Sequence, residues 1–149
     1  MAQPDRETVY AALFSLLQTN LGSAFGTYTR RFISVTNTVS ANAPYLVQVQ
    51  AGEKSETVKG MPTLHTYTVH LLVYVNYGVD ESVVPDTTMN SLVSSIETAV
   101  GPSLVTGFQQ LGIPVSSVLI NGPIDYANMA AISGQWAIAL VPVEIVANY

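Results

Sequence analysis

PTLHTYTVHLLVYVNY, residues Pro62 to Tyr77, alternates along most of its length. Tyr67, Val69, Leu71, Val73, Val75 and Tyr77 form one set, and Thr66, Thr68, His70, Leu72, Tyr74 and Asn76 the other. Successive strand residues point to opposite faces, so the first set predicts an apolar face and the second a mixed one. The β-branched and aromatic content suits a pleated surface with one side buried. At about 3.3 Å per residue the stretch would span roughly 50 Å if straight. That exceeds an ordinary strand in a small domain. It is therefore expected to be the central or longest strand, and to bend or project beyond the core.

Upstream, YLVQVQ (Tyr45–Gln50) alternates as a strand. AGEKSETVKGM (Ala51–Met61) follows, with Glu53, Lys54, Glu56 and Lys59 between Gly52 and Gly60. Strand, charged connection and long strand predict an antiparallel hairpin with an extended loop. Loops held on a rigid scaffold commonly carry binding. Glu53, Lys54, Glu56 and Lys59 are accordingly candidate interface residues. Arg30-Arg31, the chain's only pair of adjacent basic residues, joins them as a candidate partner contact. Before that, Asp5 is a plausible N-cap and Glu7 favours the first turn of a helix over Arg6–Thr19, ended by Asn20 and Gly22. Its apolar stripe is Val9, Leu13, Leu16 and Leu17. Thr27–Val35 is expected to hold a short strand, and TNTVSANA (Thr36–Ala43) reads as a loop.

Downstream, Gly78–Pro85 reads as a connection. A second helix is predicted over Asp86–Val100, capped by Asp86 or Thr87 and stopped by Gly101-Pro102. Met89, Leu92, Val93, Ile96 and Val100 form its inner stripe, and Asn90, Ser91, Ser94, Ser95 and Thr98 a small, neutral outer face. Ser103–Pro114 reads as a connection, Val115–Ile120 as a short strand and Ile124–Ser133 as a loop. GQWAIALVPVEIV (Gly134–Val146) reads as the last strand, with Trp136, Ile138 and Leu140 on one face and Ala137, Ala139 and Val141 on the other. Pro142 cannot donate to a ladder, which places that part at an edge or a bulge. The order predicts one α+β domain over residues 1–149: a mostly antiparallel sheet of four or five strands with two helices on one face.

The composition narrows the function. Of the 149 residues only 10% are charged, cysteine is absent, the formal net charge is −5 and the pI is near 4.7. Average soluble domains carry about 25% charged residues. A surface this neutral suits one that partners cover. Arg6, Arg30, Arg31, Lys54 and Lys59 are the only basic residues, too few for a broad nucleic-acid-binding surface. The lack of cysteine excludes disulfides, thiolate metal sites and cysteine nucleophiles. The first residues, MAQPDRETV, lack the layout of a signal peptide, and no apolar run is long enough for a transmembrane helix. The mean hydropathy of +0.33 is attributed to core strands. A soluble, intracellular product with no membrane role is expected.

No catalytic pattern emerges. His65 and His70 stand five apart in a strand, on opposite faces, so they cannot share a metal. Phosphate-binding loops, dinucleotide fingerprints, nucleophile elbows and H-E-x-x-H are all missing. Asp80-Glu81 and Glu53/Glu56 fall in expected loops without an apolar pocket to raise a pKa. A non-enzymatic protein with no cofactor and no metal is expected.

Taken together, ALFSLL (Ala12–Leu17), the run from Ala43 to Val75 with its Gly60-Met61-Pro62, SLVSSIETAV (Ser91–Val100) and the closing GQWAIALVPVEIV carry a resemblance. The chain resembles the tail-terminator, or tail-completion, proteins of long-tailed bacteriophages. The resemblance covers most of its length and rests on layout more than on invariant residues. It implies a hexameric ring in the virion, assembled in the host cytoplasm. Such a ring caps the tail tube, ends tube growth and receives the head-completion or connector protein. Its implied partners are copies of itself, the major tail-tube protein and that head-side protein, with DNA passing through the lumen without specific binding. An acidic lumen would offer phosphates few cations. Two other readings are another neck, connector or minor tube subunit, and a small-molecule-binding α+β domain. The latter would need a pocket with convergent polar groups.

Overall fold

In the computed structural model the alternating stretch becomes strand β3, Leu64–Gly78. It lies between β2, Tyr45–Glu56, and β6, Gly134–Asn148, and pairs antiparallel with both. The structure describes residues 5–38, 40–78, 85–101, 111, 117–131 and 134–148. Helix α1 spans Arg6–Leu21 and helix α2 Pro85–Val100. Three short strands complete the sheet: β1, Thr27–Thr29; β4, Ser117–Ile120; and β5, Asp125–Ala131. The path is β1-β2-β3-β6-β4, with β5 also pairing with β6. All pairings are antiparallel except β1 with β2. The α+β class and the two helices are as expected, but the sheet is mixed and has six strands among the described residues.

Both helices lie on the face that carries the apolar set of β3. Val69, Leu71 and Val73 are fully buried there, beside Val141, Val143 and Ile145 of β6. Leu13 and Leu17 of α1 and Met89 and Ile96 of α2 close over them. Asp5 caps α1, its Oδ1 accepting the Thr8 amide at 2.7 Å. This bond holds the Asp5 carboxyl below the usual carboxylate range. The amide of Gly22 donates back to the Gln18 carbonyl and ends the helix. α2 starts at Pro85, so Asp86 lies inside its first turn rather than at its cap, and Pro suits that first position. The expected connections at Gly78–Pro85 and Ser103–Pro114 lie mostly outside the described residues.

The opposite face has its own small core. The segment from Arg30 to Pro44 leaves β1, crosses this face in two single-turn 3-10 helices, and returns as β2, which makes β1 and β2 parallel. Val35 from the crossing packs with Tyr45, Val47, Tyr74 and Trp136. Trp136 is 0% exposed here, and its ring meets that of Tyr45 with centroids 6.0 Å apart. The Tyr74 hydroxyl donates to the Ile33 carbonyl at 2.8 Å and ties the crossing down. The amides of Gly26 and Thr27 both donate to the Pro44 carbonyl, at 2.9 and 3.2 Å. A β-carbon on Gly26 would fall 2.5 Å from the Asn42 carbonyl oxygen, so only glycine permits this approach.

Three sequence expectations need correction. Ala51–Glu56 continues β2 and is not loop. Its residues pair with β3 as far as Glu56↔Leu64, with a bulge between Gln50 and Gly52. Charge and glycine mark it as a loop in sequence, but a long, well-anchored partner strand supplies the ladder. Ile124–Ser133 is likewise not a loop through its described part: Asp125–Ala131 pairs with β6 from Leu140 to Gly134. Cross-strand context overrides the weak strand preference of DYANMAA. Pro142 lies on an interior strand, not at a sheet edge. It falls where β4 stops and β5 starts, so the backbone donor it lacks is not missed there. Only its carbonyl is used, accepting the Asn121 amide at 3.2 Å. Gly122, at φ 119°, lets the turn lie on the ring, since a β-carbon there would come 3.3 Å from Pro142 Cγ.

Leu71 is fully buried at the centre of the helix-covered face. Leu71→Ala should lower unfolding stability by about 2–5 kcal/mol, read as a shift in urea midpoint. A change near zero would remove Leu71 from the core.

Candidate interaction surface

The β2–β3 hairpin runs past the helices and ends in an exposed turn. Residues 50–62 are all exposed. The Met61 amide donates to the Val58 carbonyl at 3.0 Å, and the Thr57 and Thr63 hydroxyls meet at 3.2 Å, which closes the tip. Gly60, at φ 83°, makes the turn.

The six charged residues singled out from sequence do not converge on one site. Glu53 faces the start of α1: its carboxylate accepts Arg6 Nε at 2.7 Å and the Tyr10 hydroxyl at 2.8 Å. Desolvation, and then Glu53, push the Tyr10 phenol above its ordinary pKa. Gln48, buried beside it, donates from Nε2 to the Tyr10 carbonyl at 2.9 Å, and its Oε1 has no partner among the described residues. Arg30 pairs with Glu7 on the same helix, and the guanidinium holds that carboxyl low. Lys54 pairs with Glu56 along β2. Lys59 is exposed on the turn. Arg31 is exposed and forms no ion pair among the described residues. Glu53 and Arg30 thus clamp the first turns of α1 to the sheet, while Lys54, Glu56 and Lys59 lie further out. Exposed pairs of this kind contribute little to stability individually.

Exposed large apolar side chains mark the surface better than the charges do. Val58 (60%) and Met61 (66%) occupy the hairpin tip. Phe32 (61%) stands beside the open edge of β2, and Leu119 (40%) and Tyr126 (55%) lie on β4 and β5 at the other edge of the sheet. A groove of about 470 Å³ lies between Phe32 and β2, lined also by Glu7, Arg30, Gln48, Val49 and Gln50. Sequence reading missed these five. The available signal was an apolar residue set among polar neighbours, as Val58 is in SETVKGM.

His65 Nδ1 lies 3.0 Å from the Ser55 hydroxyl and its ring stacks on Tyr67, whereas His70 is on the other face. Among the described residues no group of three His, Asp or Glu side chains could hold a metal. No described helix is long and apolar enough to cross a membrane.

Neither a protein-family model nor a curated protein matches the sequence. Among solved structures, the chain is similar to one described as "Virion of native gene transfer agent (GTA) particle". The identity is 11%, the TM-score is 0.53, and the match covers 95% of each chain. The two share a fold along nearly their whole lengths.

The clamp on α1 gives a direct test. Tyr10→Phe and Glu53→Ala should each cost about 1–2 kcal/mol in urea unfolding, since a hydrogen bond to a charged group is lost. The double variant should cost less than the sum by at least about 0.5 kcal/mol. Strict additivity would mean that the two side chains do not act together.

Proposed function

We propose that this chain is a structural subunit of a phage-like particle, one that closes into a ring at the end of a tail tube. There it stops the tube's growth and presents a surface to the head. The observation that carries this reading is the fold likeness to a chain of a gene transfer agent virion, which spans 95% of both chains. The layout that resembles the tail-terminator proteins supports it independently.

The surface is consistent with this role. Apolar side chains lie at three separate places: both edges of the sheet and the hairpin tip. Two edges suit neighbours within a ring, and the tip suits a second layer such as the tube subunit or the head-side connector. The ring is proposed as a hexamer. With five basic residues, three of them already in ion pairs within the subunit, the lumen would let DNA pass without gripping it. A tube subunit stacks head to tail and stays open to further addition unless a different surface ends it.

Deleting the protein should give tails of uncontrolled length that do not join heads. Added to preformed tubes, it should mark one end and block extension there, as seen by electron microscopy. Tails of normal length, joined to heads in its complete absence, would sink the capping role and favour another neck or tube position.

The hairpin tip has its own test. Val58→Asp combined with Met61→Asp should leave circular dichroism unchanged, because both side chains are exposed, and should reduce the yield of joined particles at least tenfold. Full complementation by the folded variant would leave the tip as a solvated turn.

A further inference from the structure

β1 and β5 close the two sides of the sheet at the same height. Followed across β2, β3 and β6, the registers put Thr27, Tyr28 and Thr29 on the rows of Ala127, Tyr126 and Asp125. β1 runs with β2 and β5 runs against β6, so the two strands point in opposite directions. Among the described residues β1 pairs only with β2, and β5 only with β6. Their outward backbone groups match as well. The Thr27 amide faces β2, donating to the Pro44 carbonyl, so by alternation the Tyr28 amide and carbonyl point outward. On the other side the Pro142 carbonyl faces away from β3, accepting the Asn121 amide. Leu140 and Ile138 share that alternation, and they pair with Asp125 and Ala127. Tyr126, between those two, therefore also turns its amide and carbonyl outward.

We infer that copies of this chain join head to tail, β5 of one adding antiparallel to β1 of the next with Tyr126 opposite Tyr28. This rests on the ring reading above and names its subunit contact. Rotation about an axis running along the strands preserves their direction and height, so the matching rows meet. The contact is heterologous and closes when the rotation closes. Residues opposed in this way exchange both of their N–H···O bonds. β2 takes no new strand, and its bulge and its Lys54–Glu56 pair stay outside the new ladder. β1 stops at the row of Val47, and β4 continues the column of β5 along β6. β4 is thus left about 10 Å from β2, two strand spacings away. Phe32 and its groove lie in that gap.

Three observations favour a second copy as the occupant. The first is charge. The Thr29 hydroxyl accepts the Arg31 amide at 3.0 Å, which holds Arg31 beside the row that Asp125 shares. Neither Arg31 nor Asp125 has an ion-pair partner among the described residues, and the contact brings them together. The second is an aromatic pair. Tyr28 and Tyr126 are both on the helix-side face, on the row of Leu46 and Ala139. Tyr28 is fixed in place: its hydroxyl donates to the Gly22 carbonyl at 2.7 Å and its ring meets Phe25. Tyr126 stands exposed, and opposed aromatic side chains stabilise an antiparallel pair. The third is an unguarded edge. Free edges are ordinarily blunted by charge or proline. β5 has one charge, Asp125, and Asp125 to Asn128 are exposed on both of its faces. Below it Leu119, exposed on the helix-free face of β4, comes to the gap that holds Phe32.

The chain has no cysteine, so an introduced pair reports cleanly. Thr27 and Ala127 fall on the row next to Tyr28 and Tyr126, where the contact makes a non-hydrogen-bonded pair, the closer kind. In the Thr27→Cys, Ala127→Cys double variant the two cysteines would come within disulfide reach. Purified protein, alone and on its tail tubes, is oxidised and run on a non-reducing gel beside electron micrographs. The expected result is a ladder that ends in one closed oligomer for the double variant, with each single variant remaining monomeric. Rings that form without cross-linking would overturn this contact and leave the ring reading standing. Failure of the unsubstituted protein to form rings, alone or on tubes, would overturn both. A covalent dimer from Ala127→Cys alone would show two-fold edge pairing and overturn the head-to-tail arrangement. If the cysteines disturb the fold in circular dichroism, a charge swap decides. Arg31→Asp and Asp125→Arg should each lower the yield of rings about tenfold, since each sets like charges together, and the double variant should restore it. A folded double variant without that recovery would overturn the contact.

Discussion

The ladder between β3 and β6 is the constraint on which the other elements depend. It runs from Leu64↔Asn148 to Gly78↔Gln135, almost the full length of both strands. It aligns the two apolar sets so that the helix-side face is a continuous sheet of Val, Leu, Ile and Ala side chains. Small Ala137, Ala139 and Ala147 on β6 lie on that face, and the bulk of Trp136 goes to the other. A one-residue slip would send Trp136 into the helices and the alanines to the crossing segment. The helices, the crossing segment and the two short edge strands all take their places from this register.

Much of this was legible because period-two alternation is a direct reading of a half-buried strand. β3 and β6 have it, and the stripe Met89, Leu92, Val93 and Ile96 made α2 equally plain. What stayed hidden depends on partners distant in sequence. Asp125–Ala131 has little intrinsic preference for a strand and becomes one because β6 offers a free edge. Glu53 looked like a loop charge, yet it is a strand residue whose carboxylate is bound by Arg6 and Tyr10 across the chain. Pro142 signalled a missing donor correctly, but the site of that loss is a gap between two strands, which no local pattern encodes.

The candidate surface was half visible for a related reason. Charge density drew attention to the hairpin, and the hairpin does project. The charged residues, however, mostly satisfy one another inside the subunit. The large apolar side chains left exposed among the described residues are Phe32, Val58, Met61, Leu119 and Tyr126. At protein interfaces buried apolar anchors supply most of the affinity, while rim charges set encounter and register. That division makes the apolar five the better guide to where other subunits touch.

The central place of β3 also bears on the order in which the molecule is made. Its neighbour β2 is close in sequence, so that hairpin is available early. Its other neighbour follows every other strand, tens of residues later in synthesis. Until β6 emerges, one whole side of β3 is an unpaired, apolar template. Distant pairings of this kind form slowly and leave nascent chains open to off-pathway pairing. Keeping nascent copies apart therefore matters for this fold, and the scarcity of outward apolar groups on its helices helps to do so.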